Sequence, residues 1–381
     1  MYLMMGALVS TSMVACSDDD DPNGPDAETS HKELMLQKAL IPYVDNTVIA
    51  TYKNMADHAI ALYDACLAIQ ESFEGGQLKT TDLIAKAGKE WKESRKYWEQ
   101  SEAFLFGAAG DYNIDPHIDS WPLDKNALVT ELNAIKNGKE VNIELLGYGL
   151  LGFHALEYML FELDAAEENS LPHNVGYTKE ELIYTCAVAE DLRNQCVRLE
   201  AAWAGMENVT PAKAKMLENA ELEPTINYGE SMKNAGKGGS LYKTYQDAAE
   251  EVLQGSMDIC DEVGAQKIGK PAIGSSEEDK NYIESPYSLN SIIDFQDNIV
   301  SIKNSYRGSK AGDASISDFI KEVNPALDKE VIANIDAAIA AIAKIPEPFA
   351  KHATEATSQL AMEALETLMG SLEKVTTELS K

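Results

Sequence analysis

Apolar residues recur in this chain every three or four positions, over stretches that only helices can use. Ala361, Leu365, Leu368, Leu372, Val375 and Leu379 stand at steps of 4, 3, 4, 3 and 4. That spacing puts all of them on one face of a helix. Leu36, Leu40, Val44, Val48, Met55, Leu62, Cys66, Ile69 and Phe73 draw a longer stripe, stopped by Gly75-Gly76. Ile292, Phe295, Ile299, Ile302 and Tyr306 draw another on a helix expected over 288–306. Alternating strand-type runs are nearly absent, so the chain is expected to be all-α. Further helices are expected at about 80–105, 143–163, 178–204, 241–262 and 327–344. From 205 to 240 the pattern fails at Gly205, Pro211, Pro224, Gly229, Gly236, Gly238 and Gly239. The expectation is two helical bundles of the four-helix kind, 34–204 and 241–381, joined by an irregular linker over 205–240.

The first residues belong to export. Tyr2 to Ala15 carries no charge and is apolar or small throughout. It is shorter than the roughly 20 residues of a spanning helix, so 1–15 reads as a signal peptide. Met13-Val14-Ala15-Cys16 resembles a lipobox, which would leave Cys16 lipidated at the new N-terminus. An ordinary cleaved signal is the alternative. Asp18 to Asp21, Pro22, Gly24 and Pro25 cannot bury a core, so 16–33 is expected to be a flexible tether. An acidic run after the cysteine resembles the surface-export signals of some Gram-negative lipoproteins. The expected location is therefore the bacterial envelope, with the outer membrane as a partner through the lipid.

Acidic residues outnumber basic ones 63 to 32, a formal charge of −31. Such a surface repels phosphate backbones and excludes nucleic acid as a partner. Cys186 and Cys196 lie about 15 Å apart on one expected helix, too far to bridge. Cys66 falls on an apolar stripe and is expected as a buried thiol. No C-x-x-C occurs, which argues against thiolate zinc or redox chemistry.

Several motifs bear on chemistry. Gly147-Tyr-Gly149-Leu-Leu-Gly152 spells G-x-G-x-x-G, but no strand precedes it, so small residues allowing a close helix approach are the better reading. Asp111 to Asp119 alternates oxygen donors like an EF-hand, yet Pro116 and Pro122 stand where that loop needs Gly and Glu. The polar stripe Asp294, Asn298, Ser301 and Ser305 is expected to face water. His154 and Glu157, three apart, share a helical face. Such a pair can ligate a metal, act as acid and base, or be a core histidine bonded to a carboxylate. The spacing leaves all three open. No H-E-x-x-H is present.

Gly152-Phe-His154-Ala-Leu-Glu157 resembles the G-x-H-x-x-E signature of the imelysin family, the insulin-cleaving membrane-protease-like proteins of bacterial envelopes. Trp91 through Trp98, Glu102 through Gly107 and Ile118-Asp119-Ser-Trp121-Pro122 resemble the family upstream of it. Glu284-Ser285-Pro-Tyr-Ser288 and Asp294 through Gly308 resemble its iron-regulated branch. The resemblance implies two helical-bundle domains in a pseudo-twofold relation, with a site near their interface and a role in iron acquisition. It implies His154 and Glu157 as metal ligands and suggests Glu102, Asp119, Trp121, Ser285 and Asp294 as the site lining. Iron suits one imidazole among hard oxygen donors, zinc also fits, and haem stays open. Three functions follow: an iron-binding lipoprotein serving an envelope transport partner, a metallopeptidase with Glu157 as its catalytic group, or a structural or receptor-partner protein. The peptidase label of the family does not decide whether this chain is an enzyme.

Overall fold

A computed structural model describes residues 25–74, 81–161 and 177–381. The expected signal peptide, Cys16 and the first part of the expected tether lie outside these. No strand occurs among the described residues, and the fold is all-α. The principal helices are α1 (Pro25–Pro42), α2 (Ile49–Glu74), α3 (Thr81–Glu99), α4 (Lys125–Lys136), α5 (Gly152–Phe161), α6 (Lys179–Ala204), α7 (Pro211–Ala220), α8 (Tyr228–Lys233), α9 (Tyr245–Asp261), α10 (Ser291–Arg307), α11 (Ile316–Val323), α12 (Pro325–Ile342) and α13 (Ala356–Leu379). None is long and apolar enough to cross a membrane.

The apolar stripes do what their spacing requires. Every member of the Ala361 to Leu379 series is buried on α13, as are Leu36, Leu40, Val44, Val48, Met55, Leu62, Cys66 and Ile69 on α1, α2 and the turn between them. A π-helical turn, Tyr43–Val48, joins those two helices just after Pro42, which has no N–H to offer. The four described cysteines are buried and unpaired. Helices α2, α3, α5 and α6 pack together, and so do α9, α10, α12 and α13. The two sets meet where α10 lies on α3 and where α9 covers the 3₁₀ turn Glu102–Phe104.

Three sequence expectations need correction. Residues 25–33 are not tether but the start of α1. The Glu33 carboxylate caps α9 by accepting from the backbone N–H groups of Tyr245 (2.8 Å) and Gln246 (3.1 Å), which docks the segment. The stretch 205–240 is not an irregular linker either, because it holds α7 and α8. Leu217, Tyr228 and Met232 there are buried, and the buried Lys213 ammonium stands 2.5 Å from both Glu200 and Asp57. Finally, the helix expected over 143–163 is confined to α5, after short 3₁₀ turns at Ile143–Leu145 and Tyr148–Leu150. Gly152, at φ +70°, cannot continue a helix backwards.

Gly255 on α9 marks a close crossing between the two sets. A Cβ there would stand 2.4 Å from the carbonyl oxygen of Ala103. Gly255→Ala should therefore destabilise the protein by about 1–3 kcal/mol, the clash outweighing the better helix propensity of Ala. Gly370 on α13 has nothing within 4 Å of such a Cβ. Gly370→Ala should stabilise by about 0.5–1 kcal/mol, and urea unfolding of both variants reads the opposite signs.

Candidate functional site

Trp91, Arg95 and Trp98 share one face of α3 at steps of four and three, and all are buried. A guanidinium in such a place needs counter-charges. Arg95 finds them on every side. Its NH2 group lies 2.5 Å from both Glu99 Oε1 and Glu284 Oε1, its NH1 group donates to Asp119 Oδ1, and its Nε faces Asp294 Oδ2 at 3.5 Å. The Phe153 ring covers the guanidinium at 5.3 Å. A second π-helical turn, Glu262–Ile268, supplies the buried Lys267. Its Nζ is 3.1 Å from Glu284 Oε1, 3.6 Å from Glu99 Oε2 and 3.8 Å from Glu102 Oε1.

Gly152 brings α5 to this centre. A Cβ at that residue would fall 1.9 Å from the carbonyl oxygen of Ile118, so only glycine permits the approach. His154 Nε2 then lies 3.1 Å from Asp119 Oδ1, while Asp119 Oδ2 accepts from the Trp98 indole at 2.7 Å. On its other edge, His154 Nδ1 faces Glu157 Oε2 at 3.7 Å. Glu157 Oε1 accepts from the backbone N–H of Tyr287 (3.1 Å), the backbone N–H of Ser288 (2.8 Å) and the Ser288 hydroxyl (2.6 Å). The loop between Glu284 and Asn290 is thus tied to α5 while it delivers Glu284 to Arg95. Behind Arg95, the Ser285 hydroxyl and the Asn290 amide each donate to Asp294 at 2.5 Å.

The residues singled out from sequence converge here to different degrees. His154, Glu157 and Asp119 are neighbours, the Trp121 ring stands 4.8 Å from the imidazole, and Glu102 adjoins Glu99 and Asp119. Ser285 and Asp294 bond to each other at the back of Arg95. Of the oxygen-rich loop, Asp119 enters the centre, whereas Asp111 accepts from Tyr228 and His117 pairs with Asp191 at 2.8 Å. The polar stripe expected to face water is buried instead, because it lies against the charged face of α3. There, Asn298 donates to Glu99 Oε2 at 2.5 Å, and the Ser301 hydroxyl accepts from Ala103 N–H at 3.1 Å. Sequence reasoning passed over Arg95, Glu99, Lys267 and Glu284 as site residues. Two charges at i and i+4 on a face otherwise marked by Trp91 and Trp98 were the available signal for the first two.

Two overlapping groups could hold a cation, Asp119 with His154 and Glu284, and Glu99 with Glu102 and Asp119. In each, one ligand atom per residue lies within 4.8 Å of the others. Glu157 is in neither. The buried atoms His154 Nδ1, Glu157 Oε2 and Glu284 Oε2 find no hydrogen-bond partner among the described residues. Orphaned acceptors beside one imidazole suit a cation such as iron or zinc.

Charge in the centre is unbalanced. Glu99, Glu102, Asp119, Glu157, Glu284 and Asp294 face the two fixed cations Arg95 and Lys267, leaving a formal excess of four negative charges. Burial consequently pushes the carboxyls of Glu99 and Glu102 well above the usual range, and that of Asp294 up to about 7. For Asp119, burial is overcome by Arg95 and His154, which hold it well below that range. Burial also opposes the His154 imidazolium, but the carboxylates of Asp119 and Glu157 outweigh it and raise the pKa to about 9.

Comparison with known proteins places these features. The sequence model for Imelysin, a peptidase family by its description, matches residues 48–376. "Iron-regulated protein A" of Synechococcus elongatus is 26% identical over 342 residues, covering 89% of this chain and 84% of that protein. A crystal structure from Parabacteroides distasonis, described as an iron-regulated protein A precursor, superposes with a TM-score of 0.75 at 30% identity, covering 91% of this chain and 95% of its own. An imelysin-like protein from Psychrobacter arcticum shares the fold at a TM-score of 0.61 and 14% identity, over 89% and 93% of the two chains.

The shifted groups set the pH dependence of the metal-free protein. Asp294 rises on folding from 3.8 to about 7, so its contribution is complete below pH 3.8 and is lost as pH climbs through 7. His154 rises from 6.5 to about 9, so its contribution is complete below 6.5 and is lost by about pH 9. Both act in one direction. The melting temperature should fall steadily from pH 5 to pH 9. Asp294→Asn should flatten the lower part of that fall and His154→Gln the upper part, as scanning calorimetry of the chelator-treated protein would show.

Proposed function

The chain belongs to the imelysin family, and on that premise we propose that it is an envelope protein that binds iron at the Asp119–His154–Glu284 group and serves iron acquisition. The observation that carries this reading is the convergence of one imidazole and two carboxylates, where the buried Glu284 Oε2 accepts from no described donor. The names of the relatives, both iron-regulated, point to the same metal. Asp119 and Glu284 supply hard oxygen donors, and His154 supplies the nitrogen that makes zinc an acceptable substitute. Glu157 stands at the far edge of the imidazole, where a carboxylate fixes ring orientation and tautomer. His154 is only 1% exposed, which favours a bare ion over a haem-sized ligand.

The same proposal keeps the chain at the outer membrane through lipid on Cys16, passing its cargo to a transport partner. It also keeps 34–204 and 241–381 as two related bundles whose meeting place is the site. A peptidase reading would need Glu157 to take a proton from water. Its Oε1 already accepts three hydrogen bonds and its Oε2 is turned to His154, which weighs against that role.

Anaerobic Fe²⁺ titration by calorimetry, run beside a peptide-cleavage assay, tests the proposal. Asp119→Asn, His154→Gln and Glu284→Gln should each weaken binding by about tenfold or more, while the exposed Glu366→Gln should change nothing. Because the imidazole must shed a proton held up to about pH 9, affinity should rise by up to about tenfold per pH unit from pH 7 toward 9. Cleavage abolished by Glu157→Gln would instead establish a hydrolase.

A further inference from the structure

His154 is 1% exposed, so a metal ion reaches it only past other side chains. Two approaches to the Asp119–His154–Glu284 group are held by fixed cations. Arg95 contacts Asp119 and Glu284, and the buried Lys267 stands 3.1 Å from Glu284. Both repel an incoming divalent ion. A third approach is lined by aromatic rings. The Trp121 ring centre lies 4.8 Å from that of the imidazole and 6.4 Å from that of Tyr287, which in turn meets Tyr158 at 5.3 Å. Trp121, Tyr158 and Tyr287 are all partly exposed, so the series leads from the buried imidazole to the surface.

Two features mark this series as a passage rather than a wall. The buried Nε1 of Trp121 finds no hydrogen-bond partner among the described residues, so no acceptor there latches the indole beside His154. A cation also stands on the outer rings already. Lys125, exposed in the first turn of α4, holds its Nζ 4.8 Å from the centre of the Tyr158 ring and 4.9 Å from that of Tyr287. The electron-rich faces of such rings attract positive charge.

We propose that Trp121, Tyr158 and Tyr287 form the entry portal for a divalent metal ion, with Lys125 as its charge gate. The arriving ion displaces the Lys125 ammonium from the tyrosine faces and passes as the Trp121 indole turns aside. It then meets Asp119 and His154. The ammonium slows this step by repulsion, and the indole, once returned, shields the bound ion from chelators in solution. Asp119, Trp121 and Lys125 lie in one short segment, so the stretch that supplies a ligand also carries the lid and the gate.

The inference rests on the proposed iron-binding reading, and rates separate it from equilibrium binding. Under anaerobic conditions, trapping unbound Fe²⁺ with ferrozine at successive delays gives the loading rate. Adding excess ferrozine to loaded protein gives the release rate, and calorimetry gives Kd. Trp121→Ala should speed loading and release together by about tenfold or more, so that Kd moves far less than either rate. Lys125→Met should speed loading by about threefold or more and Lys125→Glu further, whereas Lys125→Arg should keep the wild-type rate. Loading that is unchanged in the Trp121 and Lys125 variants overturns the portal and leaves the iron site standing. A Trp121→Ala variant that weakens binding through release alone makes the ring a wall of the site, and that also overturns the portal. Failure of the wild type to bind Fe²⁺ overturns the iron reading, and the portal falls with it.

Discussion

A buried guanidinium must be neutralised where it stands, and Arg95 draws its counter-charges from segments far apart in the chain. Glu99 comes from its own helix, Asp119 from the loop before α4, Glu284 from the loop before α10 and Asp294 from α10 itself. These contacts fix how α10 lies on α3, and with it how one set of helices meets the other. They are not an economical source of stability. Desolvating an ion costs several kcal/mol even after relaxation, and apolar residues of similar volume often replace a buried ion cluster at no loss. An arrangement that expensive makes sense where the carboxylates themselves are needed.

Those carboxylates are not equivalent. Arg95 and His154 keep Asp119 ionised, whereas burial leaves Glu99, Glu102 and Asp294 inclined to hold protons. In Asp119 the centre therefore contains a constitutive anion beside three groups, Glu99, Glu102 and Asp294, that can give up protons. A cation and a set of protons are alternative answers to the same excess of negative charge, and each must displace the other. Asp119 is also the residue shared by both candidate ligand groups, so its low pKa and its position act together.

Much of this was legible in the sequence, and the limits have physical causes. Helices announce themselves through the face they bury, which is why α13 and the α1–α2 stripe could be read residue by residue. A polar stripe has no such signature. Asp294, Asn298, Ser301 and Ser305 look like a solvated face until α3 presents Arg95 and Glu99 to them, and nothing local to α10 reports that partner. The segment 205–240 was misread for the converse reason. Its glycines and prolines are real interruptions, but α7 and α8 fit between them and are held by Lys213, Leu217, Tyr228 and Met232 rather than by a long periodic stripe.

The clearest passage from letters to geometry is the run Gly152-Phe-His154-Ala-Leu-Glu157. Gly152 is required because its positive φ and missing Cβ let the start of α5 touch the Ile118 carbonyl. That contact carries His154, two residues on, to the neighbouring Asp119. Three residues further, on the same helical face, Glu157 reaches across to the backbone of Tyr287 and Ser288. Each residue of the motif thus touches a different part of the chain: the 118–119 loop, its carboxylate, and the loop that delivers Glu284. Separating the histidine from the glycine by one more residue would rotate the imidazole by about 100° around α5 and away from Asp119. The spacing of the motif is the spacing of these contacts, which is why a hexapeptide can mark a centre assembled from both sets of helices.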